Sequence, residues 1–168
     1  MSTVTIHREK SAEKEVGEDK VCIIVSKGSL DMVYPAFMLA NTAATMGSEV
    51  HLFFTFWGLN VLNRKKVGSL KVSPVGNPGM PMPNIIGMIP GMTAMATRMM
   101  KGKIKETKTP TIPEMIQSAK ELGVHIHACS TSMEFLNLKK ENMIPEVDDI
   151  IGAASFLSLS QGARVLFI

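Results

Sequence analysis

The strongest constraint on the fold is a strand–helix–strand pattern near the start of the chain. Residues 21–25 form a short β-branched run bounded by charge and by Gly28, as in a strand that is buried on both faces. Residues 32–46 follow with apolar side chains at helical spacing, and residues 50–56 form a second apolar strand. Such a start predicts a parallel sheet with helices on both sides. The expected fold class is therefore α/β, with three layers (α/β/α) and a mainly parallel sheet.

The later segments continue this alternation of helices and strands. A helix is expected from Thr111, which can cap it together with Glu114, and a third strand over residues 124–129. The remaining expected elements are a short helix over 133–138, a helix over 150–161 and a final strand over 165–168.

Composition excludes several classes of protein. The 168 residues fit one domain, and a net charge of +3 with one Trp and one Tyr gives no basis for nucleic-acid binding. Cys22 and Cys129 are the only cysteines and are far apart, so neither a disulfide scaffold nor a zinc site is expected. The N-terminus lacks the apolar segment of a signal peptide, which predicts a cytoplasmic protein with free thiols.

Two segments differ from the rest in composition. Residues 1–19 are charged and predict a mobile tail, which leaves 20–168 as a single domain. A Met/Pro/Gly-rich insert occupies about 73–100, and seven of the 14 methionines lie between Met80 and Met100. A long loop and a short buried helix over about 92–100 are expected there. Packing in the core or at a subunit interface is favoured over Cu(I) binding. A membrane span is not expected, because prolines interrupt the segment, and a membrane contact through 80–100 is an alternative that is not favoured.

Cys129 is the candidate reactive group. It ends the third predicted strand, and ligands of open parallel sheets lie beyond such carboxyl ends. Thr131 and Glu134 stand at capping-box spacing, so a helix begins just after the thiol and favours its thiolate. Neighbouring hydroxyls of Ser130 and Ser132 can donate to the sulfur. The residues alone leave open the alternative that Cys129 is a small apolar core side chain.

Other candidates carry less weight. Cys22 lies within an apolar strand and is expected in the core. His125 and His127 share a strand face with Cys129, but three ligands on one strand span about 13 Å, too far for one metal ion. A role for His127 in tuning the thiol stays open. The turn at Gly28 and Ser29 lacks the further glycine and the lysine of phosphate-binding loops, so no nucleotide cofactor is expected.

Three blocks of sequence resemble the DsrE/DsrF-like family, in particular its longer branch, which is often described as peroxiredoxin-like. The blocks are residues 26–41, residues 46–60 with the run Phe-Thr-Phe-Trp-Gly-Leu, and residues 129–133. The resemblance implies a flavodoxin-like three-layer fold, a homo-oligomer and a role in sulfur trafficking. It implies that Cys129 accepts sulfane sulfur as a persulfide and passes it on, with TusA-like carriers and rhodanese-like donors as partners. The expected site-lining residues are Gly28, Ser29, Ser130, Thr131, Ser132 and Met133.

The leading hypothesis is therefore an intracellular sulfur carrier or sulfurtransferase-type protein without cofactor or metal. One alternative is a thiol peroxidase or redox protein, although no arginine lies near Cys129 in the sequence to activate it. Another is a non-catalytic module, peripheral to a membrane, that works through the methionine-rich insert.

Overall fold

A computed structural model of the chain describes residues 19–73 and 91–168. The predicted charged tail, apart from Asp19, and most of the methionine-rich insert lie outside the described residues. The elements are, in order, β1 (Lys20–Val25), α1 (Leu30–Thr45), β2 (Glu49–Phe54), α2 (Leu59–Leu62), α3 (Met92–Glu106), α4 (Ile112–Glu121), β3 (His125–Cys129), α5 (Ser130–Phe135), β4 (Asp149–Ile151), α6 (Ala153–Leu159) and β5 (Arg164–Phe167). Short 3₁₀ turns occupy Phe56–Gly58, Val67–Ser69 and Lys140–Asn142.

The five strands form one parallel sheet in the order β4-β3-β2-β1-β5. This confirms the predicted α/β class with a parallel sheet. β1 has β2 on one side and β5 on the other, so the topological switch point lies between β1 and β5. Cys129 ends β3, one strand away from the sheet edge formed by β4.

Side chains alternate between the two faces of the sheet and meet different partners. On one face, residues such as Ile23, Leu52 and Ile126 pack with Phe37 of α1 and Ile116 of α4 in the main core. On the opposite face, a smaller cluster surrounds Phe156 of α6 and contains Cys22, Phe53 and Cys129. Helices on both faces give the three expected layers.

Two helix boundaries differ from the sequence-based expectation. The helix expected over 150–161 is instead strand β4 followed by α6, because three residues beside β3 complete the sheet edge before Gly152 caps the helix. The helix expected to end near 100 continues to Glu106, because the lysines that follow favour helix and face solvent. Most of α3 is exposed, so the expectation of a short buried helix was wrong.

The capping of α4 follows the prediction. Its N-cap is Thr111, whose backbone N–H donates to the Glu114 carboxylate at 2.6 Å.

Among the residues that the structure describes, no helix is both long and apolar enough to cross a bilayer.

Candidate functional site

Cys129 lies where β3 passes directly into α5. It is the last residue of the strand and the N-cap of the helix, in extended conformation. The helix therefore begins at Ser130, three residues earlier than predicted, and Thr131 is not its cap. The first N–H groups of a helix have no partner within it. The thiol is thus nearer to these groups than the sequence suggested.

The thiol packs within a small apolar cluster. Cys129 is 5% exposed, and its cluster contains Phe53, Phe156 and Ile151, which is its partner on β4. The rings of Phe53 and Phe156 stack with centroids 4.4 Å apart. These contacts hold Cys129, which reaches solvent only slightly, at the end of a strand rather than on a loop.

One hydrogen bond ties the helix that follows Cys129 to the end of β2. The Ser132 and Thr55 hydroxyls lie 2.8 Å apart, and Ser132 is buried. Ser132 therefore orients α5 through Thr55. Ser132 was expected at the site from the sequence and Thr55 was not, although a hydroxyl directly after an apolar strand is a recognisable signal.

The other predicted site residues separate into two groups. Ser130 is half-buried and lies close to Gly152, Thr131 is exposed, and Met133 is buried in the main core on the opposite side. Gly28 and Ser29 lie apart from these residues and line a cavity at the start of α1. They follow β1, which β2 separates from β3, and Cys129 is not among the described residues that line this cavity.

Cys22 is fully buried on the same face of the sheet. Burial raises the pKa of its thiol, and the nearby Lys20 ammonium lowers it to a smaller extent. Cys22 is level with His125 two strands away, and Cys129 lies four residues further along β3. Two strand spacings already amount to about 10 Å, beyond the Cα separation that a disulfide allows. The two cysteines cannot pair within one chain.

A buried histidine pair lies between the two cysteines. Nδ1 of His51 is 3.0 Å from Nε2 of His127, and Nε2 of His51 is 2.8 Å from the Glu49 carboxylate. Because the carboxylate only accepts, His51 donates through Nε2 and its Nδ1 accepts from His127. The ring of His125 stacks on His51, with centroids 4.7 Å apart. The pair was not expected from the sequence, because it depends on the register between β2 and β3.

The proton arrangement leaves one buried lone pair. Nδ1 of His127 has no hydrogen-bond partner among the described residues, and the Asp149 carboxylate is 3.8 Å away. Burial lowers the pKa of both His51 and His127, so both are neutral near pH 7. No group of three His, Cys, Asp or Glu side chains within residues 19–73 and 91–168 is arranged to hold a metal ion.

The fold and the site together define a class of protein. It is a three-layer α/β protein in which a single cysteine caps a helix at the carboxyl edge of a parallel sheet. The chain belongs to the DsrE/DsrF/DrsH-like family, whose model matches residues 17–168.

Known proteins extend this assignment. The chain is 41% identical over 151 residues to the sulfur carrier protein DsrE2 of Allochromatium vinosum, a match that covers 85% of this chain and 93% of that protein. It is 31% identical over 161 residues to the uncharacterized protein YrkE of Bacillus subtilis, across 89% of this chain and 96% of that protein. The ychN protein of E. coli, whose crystal structure is known, shares the fold with a TM-score of 0.56 and 13% identity, over 89% of this chain and 99% of that one.

Proposed function

We propose that this protein is a sulfur carrier that holds sulfane sulfur as a persulfide on Cys129. The observation that carries the proposal is the position of Cys129, which is both the end of a parallel strand and the N-cap of α5. The similarity to a protein named as a sulfur carrier supports the same role.

The proposed reaction is an exchange of one S–S bond for another. The Cys129 thiolate attacks the outer sulfur of a donor persulfide, R–S–SH, and forms a new S–S bond as the old one breaks. The donor leaves as a thiolate, and the proton stays on the transferred sulfur. An acceptor thiolate then repeats the attack on the Cys129 persulfide. Each step conserves electrons, so the exchange needs no oxidant or cofactor.

The surroundings of Cys129 suit a carrier. The first N–H groups of α5, which have no partner within the helix, favour negative charge on the Cys129 sulfur, both when it attacks the donor and when it is the leaving group in transfer to an acceptor. Phe53 and Phe156 shield the adduct from bulk water, which slows its loss to unrelated thiols. Ser132 and Thr55 keep α5 in place during transfer.

Mass spectrometry of the intact protein tests the proposal. After incubation with a sulfane-sulfur donor, the wild-type protein should gain about 32 Da, the mass of one sulfur atom, and lose it on reduction. Cys129→Ser should gain nothing, whereas Cys22→Ala should load like the wild type. Absence of the adduct in the wild type, or its presence on Cys22, would overturn the proposal. Efficient reductant-coupled turnover of peroxide would instead favour a thiol peroxidase.

The proposed partners are a rhodanese-like donor and a TusA-like acceptor, with Cys129 between them. A persulfide on the purified donor should disappear as the adduct on Cys129 appears, and should then appear on the acceptor. The partner proposal fails if small persulfides load Cys129 and neither protein exchanges sulfur with it.

The proposed homo-oligomer has support from the edge strand. Val165 and Phe167 of β5 and Leu157 of α6 are apolar and exposed, with Phe167 71% exposed. Such an edge favours contact with a second copy. Analytical ultracentrifugation should show an oligomer for the wild type and a smaller species for Phe167→Glu. A wild-type monomer at micromolar concentration would contradict this proposal.

A further inference from the structure

Three aromatic side chains, two in the turn after β2 and one at the end of α5, are exposed to solvent. Phe56 is 52%, Trp57 59% and Phe135 72% exposed, and the rings of Phe56 and Phe135 meet edge to face with centroids 6.0 Å apart. Single exposed apolar residues are ordinary, but adjacent exposed aromatics are typical of a contact surface. These three residues are called the aromatic patch below.

The backbone holds Phe56 in this position at a cost. Its φ is 45°, in the left-handed region that bulky side chains rarely adopt. Such a conformation costs about 1–3 kcal/mol. The turn is held by hydrogen bonds from Thr55 to Val25 and from Gly58 to Ser26, and a Cβ at Gly58 would overlap the Val25 carbonyl oxygen. An asparagine would suit this turn better, so the fold itself does not explain a phenylalanine there.

The aromatic patch borders the reactive cysteine. Phe135 is the last residue of α5, the helix that Cys129 caps, and six helical residues rise only about 9 Å. Phe56 directly follows Thr55, whose hydroxyl is bonded to Ser132 of the same helix. A partner that covers Phe56 and Phe135 therefore places its own groups close to Cys129.

A positively charged cavity continues the patch. Trp57 lines a cavity of about 790 Å³ together with Lys27, Lys66 and Lys71, which are all exposed. Among the described lining residues, Asp31 supplies the one carboxylate, and it accepts a hydrogen bond from the Ser73 amide.

The charges of these lysines are not neutralised by carboxylates. Lys66 donates to the neutral side chain of Asn60, and no ion pair within the described part of the chain involves Lys27 or Lys71. Beside the patch, Glu134 is the exposed acidic neighbour of Phe135. The three cavity lysines are called the lysine rim below.

We propose that the aromatic patch and the lysine rim dock an acidic segment of a partner protein that presents a cysteine among apolar side chains. The apolar side chains of the segment cover Phe56, Trp57 and Phe135, and its carboxylates enter the cavity. Its cysteine then faces Cys129, so the surface selects which protein exchanges sulfur; this last step rests on the carrier function proposed above. Charge complementarity of this kind gives specificity and a fast encounter that salt weakens.

Docking is tested without sulfur chemistry by the fluorescence of Trp57, the only tryptophan of the chain. The probe is a synthetic peptide with a serine between leucines and several Asp and Glu residues on both sides. Titration of the protein with this peptide should shift the emission of Trp57 until the shift saturates. A control peptide with lysine in place of each Asp and Glu should cause no such shift. Lys27→Glu combined with Lys66→Glu should weaken binding at least about tenfold. Lys103 is exposed and lies about 15 Å further along α3 than Thr93, which lines the cavity. The control variant Lys103→Glu should therefore bind the peptide like the wild type.

The rate of sulfur transfer to Cys129 tests whether docking selects the donor. The donors are the persulfide of the same acidic peptide, now with cysteine in place of serine, and a small persulfide such as that of free cysteine. Phe56→Asn should lose roughly tenfold in rate with the peptide and nothing with the small donor. Its thermal midpoint should equal or exceed that of the wild type, because asparagine tolerates the left-handed conformation. Met46 is 80% exposed and caps the C-terminal end of α1. The control variant Met46→Ala should accept sulfur from both donors at the wild-type rate.

The outcomes separate the two proposals. If neither donor loads wild-type Cys129, the carrier function fails, while the fluorescence titration still decides the docking. If both peptides bind equally, or if Phe56→Asn accepts peptide sulfur at the wild-type rate, the docking proposal is overturned. It is also overturned if Trp57 responds to anionic lipid vesicles and not to the acidic peptide, since the surface then contacts a membrane.

Discussion

The two faces of the sheet differ in what their side chains do. The face against α1 and α4 contains the main apolar core, with Phe37 and Leu52 fully buried. The face against α6 has a much smaller apolar cluster with both cysteines, and the His51–His127 pair lies on the same face. The main core stabilises the fold, and this stability allows the opposite face to hold reactive and polar groups in surroundings of low dielectric constant.

The largest expected effect is on the main core. Phe37 is fully buried and lies with its ring centroid 6.0 Å from that of Phe54, so Phe37→Ala should lower the free energy of unfolding by about 3–5 kcal/mol. Chemical denaturation monitored by circular dichroism measures this. Ser158→Ala, at an exposed polar site on α6, should change it by less than about 0.5 kcal/mol. Equal losses at the two sites would contradict the assignment of Phe37 to the main core.

The second prediction concerns Cys22 on the α6 face. Cys22→Ser places a hydroxyl in a fully buried apolar site and should cost about 1–3 kcal/mol of unfolding free energy. Cys22→Ala is the matched control without a polar group and should cost less. Both variants should still load sulfur on Cys129. A loss of loading in both, with the fold intact, would give Cys22 a role in transfer.

The third prediction is a dependence of stability on pH that arises from the α6 face. Because burial lowers the pKa of His51 and His127, the unfolded chain binds protons before the folded one does as pH falls. The contribution of the two neutral histidines to the free energy of unfolding is complete above the ordinary histidine pKa of about 6.5. Below that pH the free energy of unfolding falls by at most about 1.4 kcal/mol per pH unit for each histidine.

Unfolding in urea at pH 7.5, 6.5 and 5.5 measures the slope of the free energy of unfolding against pH. The groups that face the pair are Glu49, Lys20, His125, Asp148 and Asp149, and the carboxylates oppose the shift caused by burial. Replacing the pair in His51→Gln/His127→Gln should flatten the slope between pH 7 and 5.5. If the double variant keeps the wild-type slope, the pH dependence arises from other titratable groups.

The smallest expected effect is at the Thr55–Ser132 hydrogen bond. Ser132→Ala should cost about 1 kcal/mol of unfolding free energy, since it removes one bond and leaves the Thr55 hydroxyl without this partner. Thr55→Val is the partner variant, and the double variant should cost less than the sum of the single ones. A double-mutant cycle by thermal unfolding measures the coupling. Full additivity would show that the bond does not hold α5 in place.

Several elements could be predicted from local sequence because their signals are local. The β-branched run of β1 and the apolar run of β2 predict strands by composition alone, and Thr111 with Glu114 predicts the start of α4. β4 was missed because three residues carry no measurable periodicity, and it is a strand only because it pairs with β3. The capping-box spacing of Thr131 and Glu134 was misleading, since Cys129 itself occupies the cap position.

That Cys129 ends a strand before a helix follows from local sequence, since strand composition and helix-start residues are properties of a few neighbouring positions. What surrounds Cys129 depends on tertiary contacts. His51 meets His127 across 76 positions and Thr55 meets Ser132 across 77, and both contacts require β2 to lie beside β3 in one register. The aromatic patch likewise exists because the turn after β2 lies against α5. Strand order and register are decided by burial summed over the whole chain, which no local pattern records.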